Sequence, residues 1–427
     1  MRALRLVIVA MLFVACSSDH AQPSDNGVTC GAGTEQVDNV CLPIPGDAGH
    51  RDAAPVDTGV DASADARVDA GPDAPWPDAA IHADEATAFA IDPAHDNLQP
   101  TDTVASPLAP AWTASFDGTV LDPLVVGGLA IVSVDGSPPT VRALDLNTGA
   151  LVWGPIVFGE RAMLAYDDGR VFALDFQGHL TALDLATGRQ RWFIEIAPTA
   201  VFTSPPVGVA GSVYINGPGT WTSAFDAQTG ALRWKASAVQ GSDGCPAVSG
   251  GVVYQSGPCE ERIAWNALTG AEMWSNSGTC SGGGGDAPSV YGGMIWQFDD
   301  FGNNVIYDQT GNAVGTFAAS ATPAFHGGTA FYQTNQTLSA VDIATHATLW
   351  TFTGDGRLCT APVVAGNGAQ VFVGSSLGHV YEIDETSGAQ RSVHDAGTAI
   401  TCFDETHAMA LGEGHLLVPA GNTLIAY

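Results

Sequence analysis

One decapeptide, Leu183-Asp184-Leu185-Ala186-Thr187-Gly188-Arg189-Gln190-Arg191-Trp192, constrains this chain more than any other stretch, because it keeps returning. It reads as a strand, a tight turn and a second strand. Asp184 can accept backbone N–H groups and close the turn. Gly188 can take the positive φ that a reversing chain often needs. Trp192 adds a large apolar surface. Asp145…Gly149…Trp153, Asp226…Gly230…Trp234 and Asn266…Gly270…Trp274 repeat the pattern. Asp308…Gly311, Asp342…His346…Trp350 and Asp384…Gly388 are degenerate copies. Gly315 and Ser392 stand where two tryptophans are missing, and His346 where a glycine is missing. These losses suggest relaxed constraint in the later repeats. The turn glycines recur about every 40 residues, the period of a propeller blade of four short strands.

The rest of each repeat fits that architecture. A strand of the form x-Pro-x-Val runs into a Gly-Gly turn and a second apolar strand, as in Pro123-Leu124-Val125-Val126-Gly127-Gly128 and Pro246-Ala247-Val248-Ser249-Gly250-Gly251. Third strands, each ending at or before a turn residue, fall at 142–145, 181–184, 223–226, 263–266, 305–308, 339–342, 381–384 and 423–427. The expected fold is therefore all-β, an eight-bladed β-propeller of four-stranded antiparallel blades preceded by a disordered stalk. The last repeat lacks its fourth strand. Residues 111–116, with Trp112, are expected to supply it and close the ring, so that no blade edge is left open. On this reading residues 1–98 are dispensable for folding and residues 1–118 are not.

The run Ala182-Leu183-Asp184-x-x-Thr187-Gly188-x-x-x-Trp192 resembles the repeat of the pyrroloquinoline-quinone-like propeller family, and the resemblance covers residues 110–427. That family holds both quinoprotein dehydrogenases and non-catalytic scaffolds, so the resemblance speaks to fold more than to function.

Four segments follow. Residues 1–15 carry Arg2 and Arg5 and then an apolar run too short to span a bilayer, which reads as an export signal. Phe13-Val14-Ala15-Cys16 resembles a bacterial lipobox, which implies a diacylated Cys16 as the mature N-terminus. Ser17 then implies the outer membrane, on the periplasmic side or at the cell surface. Residues 16–44 hold Cys30 and Cys41, expected to close a small disulfide loop, as an exported chain allows. Residues 45–109, rich in Asp, Ala and Pro, are expected to form a disordered linker, because their carboxylates repel and they offer little to bury. Residues 110–427 form the propeller. The net charge is −31 and Lys235 is the only lysine, which argues against a nucleic-acid partner.

Because strand direction alternates, the Gly-Gly and Asp…Gly turns share one face of the ring, the turn face. The second-to-third and blade-to-blade connections share the other, the loop face. Cys245, Cys259, Cys280, Cys359 and Cys402 fall on loop-face connections and suit disulfide stapling, with the pairing open. The loop face is also acidic. Asp243, Asp286, Asp355 and Arg357 are the candidate partner-binding residues there, facing a basic protein or a glycan. Asp299-Asp300-Phe301-Gly302-Asn303-Asn304 lacks the spacing of a calcium loop, and no Cys-x-x-Cys is present, so no metal site is expected. His179 and His379 each follow a hairpin glycine and read as solvated turn residues.

A quinoprotein dehydrogenase needs a cofactor pocket, a calcium ligand set, a base and, often, adjacent cysteines beside the quinone. The chain has no adjacent Cys pair, no Cys-x-x-Cys-His and no hydrolase motif. It is more similar to the scaffold branch, the lipid-anchored eight-bladed propellers of outer-membrane barrel assembly. The expectation is a monomeric, lipid-anchored, non-catalytic scaffold of the cell envelope, without catalytic residues or a cofactor, that binds a protein or a glycan. A quinone-dependent dehydrogenase of alcohols or sugars is the alternative.

Overall fold

The computed structural model describes residues 34–37, 40–43, 84–196, 204–217, 221–237, 244–257, 261–276, 286–298, 304–334, 336–402 and 408–427. The chain divides into two compact units, Met1–Val68 and Asp69–Tyr427. In the first, Thr34–Val37 pairs with Val40–Pro43 as an antiparallel hairpin. The expected signal segment, Cys16, Cys30 and the Asp-Ala stretch up to residue 83 lie outside the described residues.

The second unit is an eight-bladed propeller. The innermost strands of blades 1 to 8 are Leu124–Val126, Ala162–Asp167, Val207–Val209, Ala247–Ser249, Ser289–Tyr291, Ala324–His326, Val363–Ala365 and Ala410–Gly412. Each blade runs outward through antiparallel hairpins. The ring closes as the sequence predicts. Trp112–Ser115 pairs with Thr423–Ala426 in blade 8, with Ala426 opposite Trp112. Alternation explains why the blades stack: one face of each strand packs on the preceding blade and the other on the next.

The tryptophans close the seams between blades. In six seams the outer-strand indole of one blade donates its N–H to the carbonyl that follows the turn Asp or Asn of the next. Trp112 bonds Leu146, Trp153 bonds Leu185, and Trp192 bonds Ala227. Trp234 bonds Ala267, Trp274 bonds Gln309, and Trp350 bonds Glu385. Each ring lies under the turn glycine of the next blade. A Cβ on Gly188 would stand 2.7 Å from the Trp153 ring. The repeat's Gly and Trp are thus one contact, made between neighbouring blades.

This contact corrects the expectation of relaxed constraint. Gly315 and His346 face each other across one seam, with His346 Cε1 3.6 Å from where a Cβ of Gly315 would be. The missing Trp and the missing Gly therefore belong to one exchange, in which a side chain on the turn replaces one on the strand. Ser392 faces blade 8, which has no such turn, because its outer strand comes from the start of the propeller. Instead Ser392 Oγ accepts from Leu108 N at 3.0 Å.

The linker expected over 45–109 is also corrected, because residues 84–109 are built into the propeller. Ala86, Phe89, Ile91, His95, Asn97 and Val104 are each at most 2% exposed. The physical reason is the inner edge of every blade. An innermost strand leaves backbone groups pointing at the ring axis, and unpaired buried N–H groups are costly. Residues 84–99 pass around that axis and pair with them. Val125 N donates to Ala86 O, Tyr166 N to Thr87 O and Val248 N to Pro93 O. Val290 N donates to Ala94 O, Phe325 N to Asp96 O and Val364 N to Asn97 O. Phe89 and Ala90 pack with Val207 and Val209 of blade 3. Leu98–Gln99 adds a parallel strand to blade 7. The expectation that residues 1–98 are dispensable left this segment out of account: deleting them would strip most of it from the inner strands.

Candidate functional site

The centre of a propeller is its natural concavity, and the axial segment occupies it here. His95 is wholly buried; its Nδ1 lies 3.0 Å from Pro288 O, so the ring donates there and leaves Nε2 as an acceptor. Cys245 Sγ lies 3.5 Å from that Nε2 and 3.2 Å from Pro205 O. Burial pushes the imidazole down to about 4, so it stays neutral. Asn97 donates to Thr322 O and Pro323 O. Asp92 accepts from Ala94 N at 3.0 Å, and Asp96 from Leu98 N at 3.0 Å. Burial pushes the Asp92 carboxyl up to about 6. Burial, and the charge of Asp92, push Asp96 well above the ordinary carboxylate range.

The chain enters and leaves this ring at the turn face. Glu85 Oε1 accepts from Gly127 N in the first Gly-Gly turn, and Glu413 accepts from Gly128 N beside it. Gly366 N, in the turn of blade 7, donates to Gln99 O. The segment therefore covers the axis from the turn-face side, and the connections of the loop face lie at the opposite end of the blades.

On the loop face, Asp355 and Arg357 share one turn of the connection into blade 7. Asp355 accepts from Arg357 N at 2.8 Å, Ser375 Oγ at 2.7 Å and His379 Nδ1 at 2.7 Å. Burial pushes its carboxyl up, but the bonds from His379, Ser375 and Arg357 N outweigh it and hold the group below its ordinary value. The Arg357 side chain is exposed. A disulfide, Cys359–Cys402, ties the connection into blade 7 to the connection into blade 8. Asp286, also exposed, opens blade 5, two blades away from Asp355. Asp243, Cys259 and Cys280 lie outside the described residues. His179 and His379 are not simply solvated. His179 Nδ1 pairs with Asp175 at 2.9 Å, as His379 pairs with Asp355.

A quinone with its cation would need a metal-ligand set and an open interior pocket. No group of three or more His, Cys, Asp or Glu able to hold a metal occurs among the described residues. The disulfide joins cysteines 43 residues apart. At the level of the inner strands the axis is filled by His95, Asn97 and their backbone partners. Sequence reasoning missed this segment. The signal was a change of composition: past residue 84 the Asp-Ala pattern gives way to Phe89, Ile91, Leu98, Val104 and Leu108.

Comparison with known proteins agrees with the fold and spans both functional branches. A family model described as outer membrane protein assembly factor BamB matches residues 105–275, 218–313 and 292–427. The quinone alcohol dehydrogenase subunit of Gluconobacter oxydans is 30% identical over 166 residues, 32% of this chain and 22% of that protein. The outer membrane protein assembly factor BamB of Moranella endobia is 30% identical over 146 residues, 30% of this chain and 36% of that protein. The chain thus matches well under half the length of either relative. Among solved structures, BamB from Moraxella catarrhalis superposes with a TM-score of 0.59 at 20% identity, covering 74% of this chain and 96% of that one. A europium-containing methanol dehydrogenase gives 0.65 at 16% identity, covering 79% and 90%. These structural likenesses concern the fold alone. Since the family model spans most of the propeller, the chain belongs to the PQQ-like repeat family described as outer membrane protein assembly factor BamB.

Proposed function

We propose that this protein is a non-catalytic scaffold of the cell envelope that binds another envelope protein through the loop face of its propeller. The observation that carries the reading is the axial segment: the concavity where a propeller could house a small ligand is filled by residues 84–99 of the chain itself. Binding is then left to the surface, and the rim of loop-face charges, including Asp286, Asp355 and Arg357, is the surface that can select a partner by charge. With a net charge of −31, a basic partner is favoured. Asp243 belongs to the same proposed rim. The outer-membrane assembly factor of Moranella endobia supports a protein partner over a glycan.

The test is cross-linking and capture from envelope extract with the full-length protein. A protein partner should be captured. Reversing Asp243 and Asp286 to Lys should weaken its capture, more so at low salt. Recovery of glycan alone, or undiminished capture by the reversed variant at low salt, counts against the reading.

The same proposal places the protein at the outer membrane, held by a lipid on Cys16, as a monomer. Cys16→Ser should release it into the soluble fraction with its melting temperature unchanged. Sedimentation of the variant with membranes in detergent-free buffer would contradict the anchor.

The second reading is a quinone-dependent alcohol or sugar dehydrogenase. The observation favouring it is the 30% identity to the Gluconobacter oxydans enzyme over 166 residues.

A further inference from the structure

The loop-face ends of most seams are packed with apolar side chains. Four residues before the turn Asp, the third strands of blades 1, 2, 6 and 7 carry Val141, Leu180, Leu338 and Val380, each fully buried. Blades 3, 4 and 5 carry Thr222, Arg262 and Asn304 at that position, also buried. The second strands change in step. Opposite the residue three before the turn, blades 1, 2, 3 and 7 place Val132, Ala173, Ile215 and Val373. Blades 4 and 5 place Gln255 and Gln297 there. Between blades 3 and 4 the two exchanges meet, since Thr222 Oγ1 bonds Gln255 Oε1. The equivalent pair between blades 4 and 5 is Arg262 and Gln297.

Both residues face that seam. Side chains alternate along a strand, so Arg262 shares a face with Ala264 and Gln297 with Ile295. Ala264 and Ile295 pack in one cluster with Tyr307, and the Arg262 guanidinium carbon lies 5.4 Å from the centre of the Tyr307 ring. Glu261 belongs to the other face, that of Ile263 and Trp265, which pack toward blade 3. Arg262 is 1% exposed and Gln297 0%. Yet Nε and Nη1 of Arg262, and both side-chain amide atoms of Gln297, have no hydrogen-bond partner. The arginines of the outer strands behave otherwise: Arg191 bonds Asp184, Arg233 bonds Asp226 and Arg391 bonds Asp384. Arg262 makes no such ion pair among the described residues.

A guanidinium keeps its charge when buried, and burying a charge is costly unless an opposite charge and hydrogen bonds answer it. Gln297 adds a donor, Nε2, and an acceptor, Oε1, beside the cation. We propose that Arg262 and Gln297 form a site for a small oxyanion that carries a hydroxyl, of the hydrogen phosphate or hydroxy-acid kind. Arg262 and Gln297 Nε2 donate to the oxyanion, and Gln297 Oε1 accepts from its hydroxyl. Arg262 opens its strand and Gln297 ends its own, so the site lies at the loop-face end of the seam. It depends on no reading of the whole protein, and a failed partner capture leaves it standing.

The test is isothermal titration calorimetry of the full-length protein with inorganic phosphate, glycolate and acetate, each at constant ionic strength. Saturable binding of phosphate or glycolate is expected, and which of them binds tells the two kinds of ligand apart. Acetate, which lacks the hydroxyl, should bind about fivefold more weakly or worse. Arg262→Met should abolish binding. Gln297→Leu should weaken it by about tenfold and erase the preference over acetate. If Arg262→Met does not fold, the Gln297→Leu result decides alone. No saturable binding by the native chain, acetate bound as tightly as the hydroxylated anions, or undiminished binding by the folded variants overturns the proposal.

Discussion

At the scale of single residues, the repeat's glycine has two tasks, and only one shows in a sequence. Gly188 adopts φ +67° and Gly250 φ +58°, so both tolerate a left-handed backbone that other residues resist. Gly250 has nothing within 4 Å of a notional Cβ, whereas Gly188 has the Trp153 ring at 2.7 Å. Gly250→Ala should cost about 1 kcal/mol through backbone strain alone. Gly188→Ala should cost about 2–4 kcal/mol, because the indole must also move. Urea unfolding of the two variants checks this, and equal losses would contradict the seam contact. The buried acids make a second residue-scale prediction. Asp92 and Asp96 are raised, so the folded state holds their protons more tightly than the unfolded chain, where an Asp titrates near 3.9. Their contribution is fully present below that value and is lost as pH rises through about 6 for Asp92. Replacing both with Asn should therefore stabilise the protein at pH 7.5 by about 1–3 kcal/mol and flatten the stability curve between pH 4 and 7. Both side chains keep some solvent contact, which limits the gain. A variant less stable at pH 7.5 than the native chain would refute the assignment.

At the scale of elements, the axial segment and the closing strand carry different loads. Trp112 is 9% exposed, packs in the core of blade 8 and bonds blade 1. Its replacement by Ala should cost about 3–5 kcal/mol. Deleting residues 1–83 should leave the melting temperature of the propeller unchanged, deleting 1–98 should lower it, and deleting 1–118 should prevent folding. Thermal melts of the three truncations check the order, and equal melting of the first two would contradict the role of the segment. Much of this was legible beforehand. Short strands and tight turns are local, so Asp184, Gly188 and Trp192 announce a blade, and counting third strands gives eight. The closing strand followed from a Trp112 with no preceding Asp turn. What stayed hidden is non-local. Residues 84–97 lack a strand pattern because they pair one group at a time with inner edges scattered from Val125 to Val364. Likewise, a lost Gly at His346 is explained only by a lost Trp at Gly315, on the neighbouring blade. Asp355 and Arg357 were singled out for charge, and only coordinates reveal that the carboxylate is engaged by Ser375 and His379.

At the scale of the whole propeller, residues 84–99 pair with the inner strands around the axis from the turn-face side, and the blade-to-blade connections lie at the other end. A quinone enzyme needs the reverse, a dry interior pocket where a cofactor is polarised by a cation and a base takes the substrate proton. The choice between scaffold and dehydrogenase thus turns on whether the interior can take a cofactor. The direct measurement is dye-linked oxidation of primary alcohols and aldoses by the full-length protein after incubation with pyrroloquinoline quinone and calcium, with the melting temperature followed in parallel. A ligand that binds only the folded state must raise that temperature. The account predicts no turnover and no shift. Turnover that a chelator abolishes, accompanied by a raised melting temperature, would contradict it.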